Sequence, residues 1–172
     1  RSVVSDGVGG YLLVFEEIGF SNVNLVVARL DQAGNLIWAK RYDLSNANWD
    51  IHTKGCLLAQ DGLPVVMGSM STGQGQEYAY AMKLDTVGAI QWWNGCDLSQ
   101  STITLIENMP DGGFRMMGQP GSPSEPKIWL LDSMGVFTDV QWLYNPYTYL
   151  GQYGFSHRMY PLHAASGMLA FG

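Results

Sequence analysis

A short motif that recurs three times constrains the fold of this chain more than any other feature. The pattern Leu-Asp-x-x-Gly begins at Leu30, Leu84 and Leu131, at intervals of 54 and 47 residues. An Asp-Gly pair precedes each copy, and these pairs begin at Asp6, Asp61 and Asp111. A fixed period of this length is typical of repeat architectures, in which each repeat is one supersecondary unit. The chain is therefore predicted to be a repeat protein.

Each repeat contains four short apolar runs separated by turn residues. In the middle repeat the runs cover residues 56–60, 63–67, 78–84 and 89–93. They are rich in Val, Ile, Leu and aromatic residues and are bounded by glycine and aspartate, which is typical of β-strands. The Asp61-Gly62 and Asp85-x-x-Gly88 connections are short enough to require hairpins, with glycine where φ is positive. Each repeat is predicted to form a four-stranded antiparallel meander.

A four-stranded sheet of about 50 residues cannot cover both of its faces, so such units stack on one another, and radial stacking gives a β-propeller. We predict an all-β, propeller-type fold over residues 1–172. The repeats cover approximately residues 1–50, 51–100 and 101–160, with a fourth beginning at 161–172. Closed propellers have about four to eight blades. This region is therefore expected to be part of a larger ring or assembly, completed by further chain or by other subunits.

Three tryptophans follow the Leu-Asp-x-x-Gly motifs, at Trp38, Trp92 and Trp142. Their recurrence once per repeat predicts that they pack between neighbouring sheets. The third repeat departs from the spacing, since Gly135 and Trp142 are seven residues apart where the other repeats have four. A bulge or a longer hairpin is expected there.

The motifs resemble those of a known group of bacterial repeats. The group carries a D-G-G-Y opening and an L-D-x-x-G-x-x-x-W second half. Residues 1–6 and 10–14 read R-S-V-V-S-D and G-Y-L-L-V, and K-L-D-x-x-G-x-x-x-W begins at Lys83. These segments resemble the propeller-type repeats of secreted and surface-anchored bacterial proteins, especially from the Bacteroidetes. The resemblance implies a propeller fold and an extracellular or cell-surface location, and it does not imply a particular activity.

Composition excludes some classes of function. The net charge is −6, with 9 basic against 15 acidic residues, whereas a nucleic-acid-binding protein needs a basic surface. No apolar run approaches the roughly 20 residues of a membrane span. Cys56 and Cys96 are expected on the first and fourth strands of one sheet, about 14 Å apart. This exceeds the roughly 7 Å reach of a disulfide, and two separate thiols are predicted.

No cofactor or metal site is expected. His52, His157 and His163 do not have the spacing of a zinc site. Asn46, Asn48 and Asp50 alternate like the start of a calcium loop, but the glycine and the bidentate glutamate that complete such a loop are missing.

The two ends of an up-and-down meander differ in character. The tight Asp-Gly and Leu-Asp-x-x-Gly turns all fall at one end, the turn face. The second loops and the crossovers between repeats fall at the other, the long-loop face. Binding residues are disproportionately found on such loops. Two crossovers, residues 43–54 and 145–159, supply the candidate binding residues Trp49, His52, Tyr147, Tyr149, Tyr153 and His157. The alternative is that these aromatic rings pack between sheets.

Two hairpin tips carry a hydroxyl after aspartate. Asp85-Thr86-Val87 and Asp132-Ser133-Met134 resemble the O-glycosylation signal of Bacteroidetes. The resemblance implies that Thr86 and Ser133 are glycosylated. The alternative is ordinary turn chemistry, in which a short polar side chain hydrogen-bonds the local backbone.

The sequence therefore predicts a non-catalytic, extracellular or cell-surface module that binds a glycan or a protein through its long-loop face. The alternative is a structural subunit of an extracellular filament or adhesin, completed by strands from its neighbours. An enzyme is disfavoured, because the expected inner strands S-V-V-S, C-L-L-A-Q and T-L-I-E-N contain one charged residue, Glu107.

Overall fold

The computed structural model describes residues 2–19, 23–43, 49–72, 77–97, 101–120, 127–142, 158–160 and 169–171. The first sheet comprises β1 (Ser2–Ser5), β2 (Tyr11–Ile18), β3 (Val23–Leu30) and β4 (Leu36–Tyr42). The second comprises β5 (Trp49–Leu58), β6 (Pro64–Thr72), β7 (Glu77–Leu84) and β8 (Ile90–Asp97). The third comprises β9 (Ser101–Asn108), β10 (Phe114–Pro120), β11 (Lys127–Leu131) and β12 (Phe137–Trp142). A separate two-stranded sheet pairs β13 (Arg158–Tyr160) with β14 (Leu169–Phe171).

The predicted meander is confirmed in all three four-stranded sheets. Strands follow one another in chain order within each sheet, and every pair is antiparallel. The described part of the chain is entirely β, with no helix, and so it contains none that could span a membrane. The sequence-derived fold class is thus correct as an all-β chain of four-stranded antiparallel sheets.

The first strand of the second sheet is longer than predicted. It begins at Trp49, whereas the sequence pattern placed its start at residue 56 and assigned residues 43–54 to a crossover. Ile51 and Thr53 point into the interior, at 1% and 6% exposure, while His52 and Lys54 are more exposed. This alternation is that of a half-buried strand. The expectation that Trp49 and His52 lie on a loop is wrong.

The turns hold glycine where positive φ was expected. Gly62 and Gly88 have φ of 77° and 74°. In the first repeat the motif is offset, because Asp6 N–H donates to Gly10 O as Ala59 N–H does to Leu63 O. Residues 6–10 therefore correspond to 59–63, and Gly9, with φ of 99°, takes the place of Gly62. Asp6-Gly7 lies two residues earlier in the turn than Asp61-Gly62 does.

The sheets pack face to face through two apolar clusters. One lies between the first two sheets and includes Leu12, Val27, Val66 and Tyr80. The other lies between the second and third sheets and includes Val65, Met67, Ala81, Phe114 and Trp129. Val65 and Val66 are adjacent in β6 and both fully buried, because successive side chains point to opposite faces of a strand. The second sheet is therefore covered on both faces.

Tryptophans from the fourth strands make part of this packing, as predicted for Trp38 and Trp92. A Cβ placed on Gly88 would lie 2.9 Å from the Trp38 ring, and one on Gly135 would lie 2.2 Å from the Trp92 ring. Each indole thus covers the hairpin glycine of the next sheet, where no larger side chain fits.

The predicted equivalence of Trp142 with these two residues is wrong. Trp38 pairs with Arg29 across the sheet and Trp92 pairs with Lys83, one residue before the Leu of each Leu-Asp-x-x-Gly motif. In the third sheet the residue at this position is Asp139, which pairs with Leu130. Trp142 lies three residues further along β12 and pairs with Lys127.

The cysteines lie as predicted, on the first and fourth strands of the second sheet. Cys56 is in β5 and Cys96 in β8, with β6 and β7 between them. Cys56 is a free thiol, and its burial raises its pKa to about 12. It therefore stays protonated and unreactive at physiological pH.

Candidate functional site

The described residues form a cleft at the turn face, between the first and second sheets. Its volume is about 290 Å³. The first sheet contributes Asp6, Arg29 and Trp38, and the second contributes Asp61 and Thr86 among others. The sequence predicted a binding site at the opposite end of the sheets, on the long-loop face. The cleft is a second candidate site, at the turn face, and polar side chains line it.

Asp6 is the most constrained carboxylate of the cleft. Its Oδ1 accepts the N–H of Gly10 at 2.6 Å and that of Val8 at 3.0 Å, and its Oδ2 accepts Nη2 of Arg29 at 2.8 Å. Burial opposes its ionisation, but the two backbone donors and Arg29 outweigh that effect and hold the pKa of Asp6 below its ordinary value. Asp6 is thus a fixed anion that closes its own turn.

Arg29 extends this arrangement to the second sheet. Its Nη1 donates to the carbonyl of Thr86 at 3.3 Å, and Nε1 of Trp38 donates to the same carbonyl at 3.1 Å. Tyr42, at the end of the same sheet, donates its hydroxyl to the carbonyl of Gly88 at 2.7 Å. Three side chains of the first sheet therefore bind the backbone of one hairpin in the second.

Asp61 and Lys83 form the corresponding pair in the second sheet, with Nζ 2.6 Å from Oδ2. Desolvation raises the pKa of Asp61, but the Lys83 ammonium and the backbone N–H of Leu63 reverse this and leave the pKa lowered. In the third sheet Leu130 stands at the position of Lys83, so the carboxylate of Asp111 is not matched by a basic residue there. The pairing of a turn-face aspartate with a basic residue, as in Asp6–Arg29 and Asp61–Lys83, is therefore a feature of the first two sheets.

These pairs predict a loss of stability in acid. A carboxyl whose pKa is lowered by folding stabilises the folded state above its unfolded pKa of about 3.9, and the stabilisation disappears as the pH falls through the folded value. We expect Asp61→Asn to lower the melting temperature at pH 7 and to leave a shallower decline between pH 5 and 2. Melting curves across this range measure both effects. Asp111→Asn, which removes no ion pair between described residues, should lower the melting temperature at pH 7 less than Asp61→Asn does, and equal slopes for Asp61→Asn and the wild type would contradict the assignment.

The structure places the predicted binding residues unevenly. His52 lies in β5 at the long-loop end, with Nδ1 3.6 Å from Oε2 of Glu16. Trp49 begins the same strand. Tyr147, Tyr149, Tyr153 and His157 lie outside the described residues. Thr86 and Ser133, the predicted glycosylation positions, are both exposed at hairpin tips of the turn face.

Glu16 is a residue of the long-loop end that sequence reasoning missed. Its Oε1 accepts the N–H of Thr53 at 2.8 Å, so it joins β2 to β5 of the next sheet. Its side chain and that of His52 are 30% and 39% exposed. The signal that could have revealed it was its place in the alternation of β2, two residues after the buried Val14.

The Glu16–His52 pair has the chemistry to hold a polar ligand. A half-exposed carboxylate accepts hydrogen bonds, and an imidazole both donates and accepts them. Behind the pair lie the buried side chains of Thr53 and Tyr80, whose hydroxyls are close enough to act on each other. Burial raises the pKa of Tyr80, so its hydroxyl stays a donor at every physiological pH. Within the described ranges no three His, Cys, Asp or Glu side chains are grouped to hold a metal ion.

Comparison with known proteins gives no family assignment. No family model matches the sequence, and no curated protein matches it. Among solved structures, a protein of unknown function from Bacteroides caccae is similar, with 13% identity and a TM-score of 0.47. The similarity covers 83% of this chain and 45% of that one, so this chain spans less than half of the length of that protein.

Proposed function

We propose that this protein is a non-catalytic, propeller-type module of a secreted or cell-surface protein, and that it binds a glycan or a protein through its long-loop face. The observation that carries the proposal is the Glu16–His52 pair, which presents hydrogen-bonding groups at the long-loop end where two sheets meet. Carboxylate and imidazole groups of this kind bind hydroxyl-rich and polar ligands.

The charges of the turn face support the same assignment. Asp6 and Asp61 are each neutralised by a basic side chain and by backbone donors, and their pKa values are lowered. A general acid at neutral pH needs a raised pKa, and a general base needs one near 7. These carboxylates therefore serve to close turns and to hold Arg29 and Lys83 within their own sheets, which leaves the opposite end for ligand binding.

Binding is tested on arrays of bacterial surface glycans and by capture of surface proteins. We expect His52→Ala and Glu16→Gln to weaken binding about tenfold or more, the effect of losing a hydrogen bond to a charged group. Thr86→Ala on the turn face is the matched control and should retain the wild-type affinity. Loss of binding in Thr86→Ala with none in His52→Ala would move the site to the turn face and refute the proposal.

The second candidate function is a structural subunit of an extracellular filament or adhesin. It is favoured by apolar side chains exposed on the first sheet, where Val3, Leu36 and Tyr11 are 66%, 63% and 43% exposed. Exposed apolar patches commonly mark protein contacts. The mass of the native assembly by light scattering separates the two functions, because a subunit of a filament forms an open series and a binding module does not.

A further inference from the structure

The register of the sheets allows their faces to be compared residue by residue. In the first sheet Val3 pairs with Leu13, Tyr11 pairs with Leu30, and Leu30 pairs with Leu36. All five side chains therefore lie on one face, which we call the near face. It is opposite to the face that carries Leu12 and Val27 and packs on the second sheet.

The third sheet has an equivalent face. The residues equivalent to Val3, Leu13, Tyr11, Leu30 and Leu36 are, in that order, Ile106, Met116, Phe114, Leu131 and Phe137. These residues pack against the second sheet, and Phe114, Met116 and Leu131 are at most 2% exposed. Apolar residues stand at the same positions of the near face, yet Tyr11, Val3 and Leu36 are at least 43% exposed there. The near face has the composition of an internal interface, but no sheet in the described part of the chain packs on it.

The hairpin glycine Gly34 also indicates that no described sheet covers the near face. It is the counterpart of Gly88 and Gly135 in the Leu-Asp-x-x-Gly motif and has a φ of 85°. Trp38 covers Gly88 and Trp92 covers Gly135, whereas a Cβ on Gly34 would meet nothing within 4 Å. The first sheet thus has an unfilled site for an indole at Gly34. The carbonyl of Gln32 is the equivalent, in the repeated motif, of the Thr86 carbonyl that accepts the Nε1–H of Trp38.

The occupant of this site is constrained by where the tryptophans lie. Trp38 and Trp92 are already seated on glycines of their own chain. The third sheet has Asp139 at their position. None of the three described four-stranded sheets of a second copy therefore offers a free indole at the required position.

We propose that the near face docks a further four-stranded sheet of the same repeat, one that carries its own tryptophan at the position of Trp38 and Trp92. The indole of that sheet covers Gly34 and donates its N–H to the carbonyl of Gln32. The sheet's apolar face covers Val3, Tyr11 and Leu36. This interface goes beyond the proposed ligand binding, since it is on a different surface from the Glu16–His52 pair and does not depend on it.

The proposal is tested by extending the whole chain with a sheet of known fit. Residues 49–104 are duplicated ahead of Ser2, because Leu105 is the register equivalent of Ser2, so the added sheet meets the first sheet as the second meets the third. We expect the melting temperature to rise by about 5 °C or more, because the added sheet covers the exposed apolar side chains of the near face. Trp→Ala at the copied Trp92 should remove at least half of the rise, while the copied Trp93→Ala should keep it.

Two results would overturn the proposal. The first is a rise that is absent or that survives the copied Trp92→Ala change. The second is a dimer of the unextended chain in sedimentation velocity that Leu36→Glu disperses, since it would assign the near face to a second copy.

If the extended chain does not fold, an NMR titration of the original chain with N-acetyl-L-tryptophanamide decides the question. The Gly34 amide should shift at least twofold more than that of Gly88, whose site is filled. Equal shifts would overturn the proposal.

Discussion

Replacing Trp92 with alanine is expected to lower the free energy of unfolding by about 3 kcal/mol, the lower end of the range for a large aromatic residue in a core. The ring lies on Gly135 and has its centroid 6.0 Å from that of Phe114, so its removal opens a cavity between the second and third sheets. Trp38→Ala should cost a similar amount, because it also deletes the hydrogen bond from Nε1 to the carbonyl of Thr86.

Chemical denaturation of the variants measures both losses. Trp93→Ala provides the control within the same strand, since Trp93 is 43% exposed, pairs with Met82 and points to the opposite face of the sheet from Trp92. It should cost less than about 1 kcal/mol, as expected for an exposed position. Equal losses from Trp92→Ala and Trp93→Ala would show that the inter-sheet contact of Trp92 contributes little.

Gly135→Ala is expected to have the other large effect, a loss of about 3 kcal/mol or more. Alanine at a positive φ costs roughly 1–2 kcal/mol through backbone strain. The added methyl group would also lie 2.2 Å from the Trp92 ring, so the indole would have to leave its site. Overpacking of this kind typically costs a further 1–3 kcal/mol.

Gly34→Ala separates the two contributions. Gly34 has a similar φ of 85° but no neighbour within 4 Å of an added Cβ, so this variant experiences the strain alone. We expect it to lose about 1–2 kcal/mol. The difference between the two variants, measured by equilibrium unfolding, gives the contribution of the contact between sheets. If Gly34→Ala lowers the free energy of unfolding as much as Gly135→Ala does, backbone strain accounts for the whole effect and the contact with Trp92 for none of it.

The sequence was sufficient to predict the order of the strands and most of the turns that join them. Hairpin glycines such as Gly62 and Gly88 need positive φ, and this local requirement is visible in the chain itself. The start of β5 was missed because Asp50, His52 and Lys54 make its exposed side polar, and only the burial of Ile51 and Thr53 by the neighbouring sheet reveals the strand. The start of β5 is therefore set by tertiary packing and not by the composition of this segment.

Register was the second limit. Counting from glycine to tryptophan led to Trp142, but β11 and β12 pair so that Asp139 faces Leu130. The same limit applied to Asp6, whose carboxylate reaches Arg29 as that of Asp61 reaches Lys83, although the two aspartates occupy different positions in their turns. An aspartate at either of two positions in the turn can reach the equivalent basic residue of its sheet. The spacing of residues in the sequence does not show which of the two positions is used.

The candidate site was predicted only in part. His52 was singled out, but Glu16 was not, because the two residues are 36 positions apart and meet through the packing of β2 against β5. A contact between repeats leaves no periodic signal when only one repeat carries it. The charged pairs of the turn face were missed for the related reason that Arg29 and Lys83 each lie one residue before the end of a largely apolar strand and meet an aspartate about 22 residues earlier in the chain.

The seating of Trp38 on Gly88 also imposes a direction on folding during synthesis. The chain leaves the ribosome from its N-terminus, and β1 to β4 can pair into the first sheet before the hairpin around Gly88 exists. The indole of Trp38, the guanidinium of Arg29 and the hydroxyl of Tyr42 have no acceptor until the backbone carbonyls of Thr86 and Gly88 are synthesised, 46 to 57 residues later. Each nascent sheet is thus held in a partly packed state until the next one emerges, and translation pauses placed one repeat downstream would set the pace at which the structure consolidates.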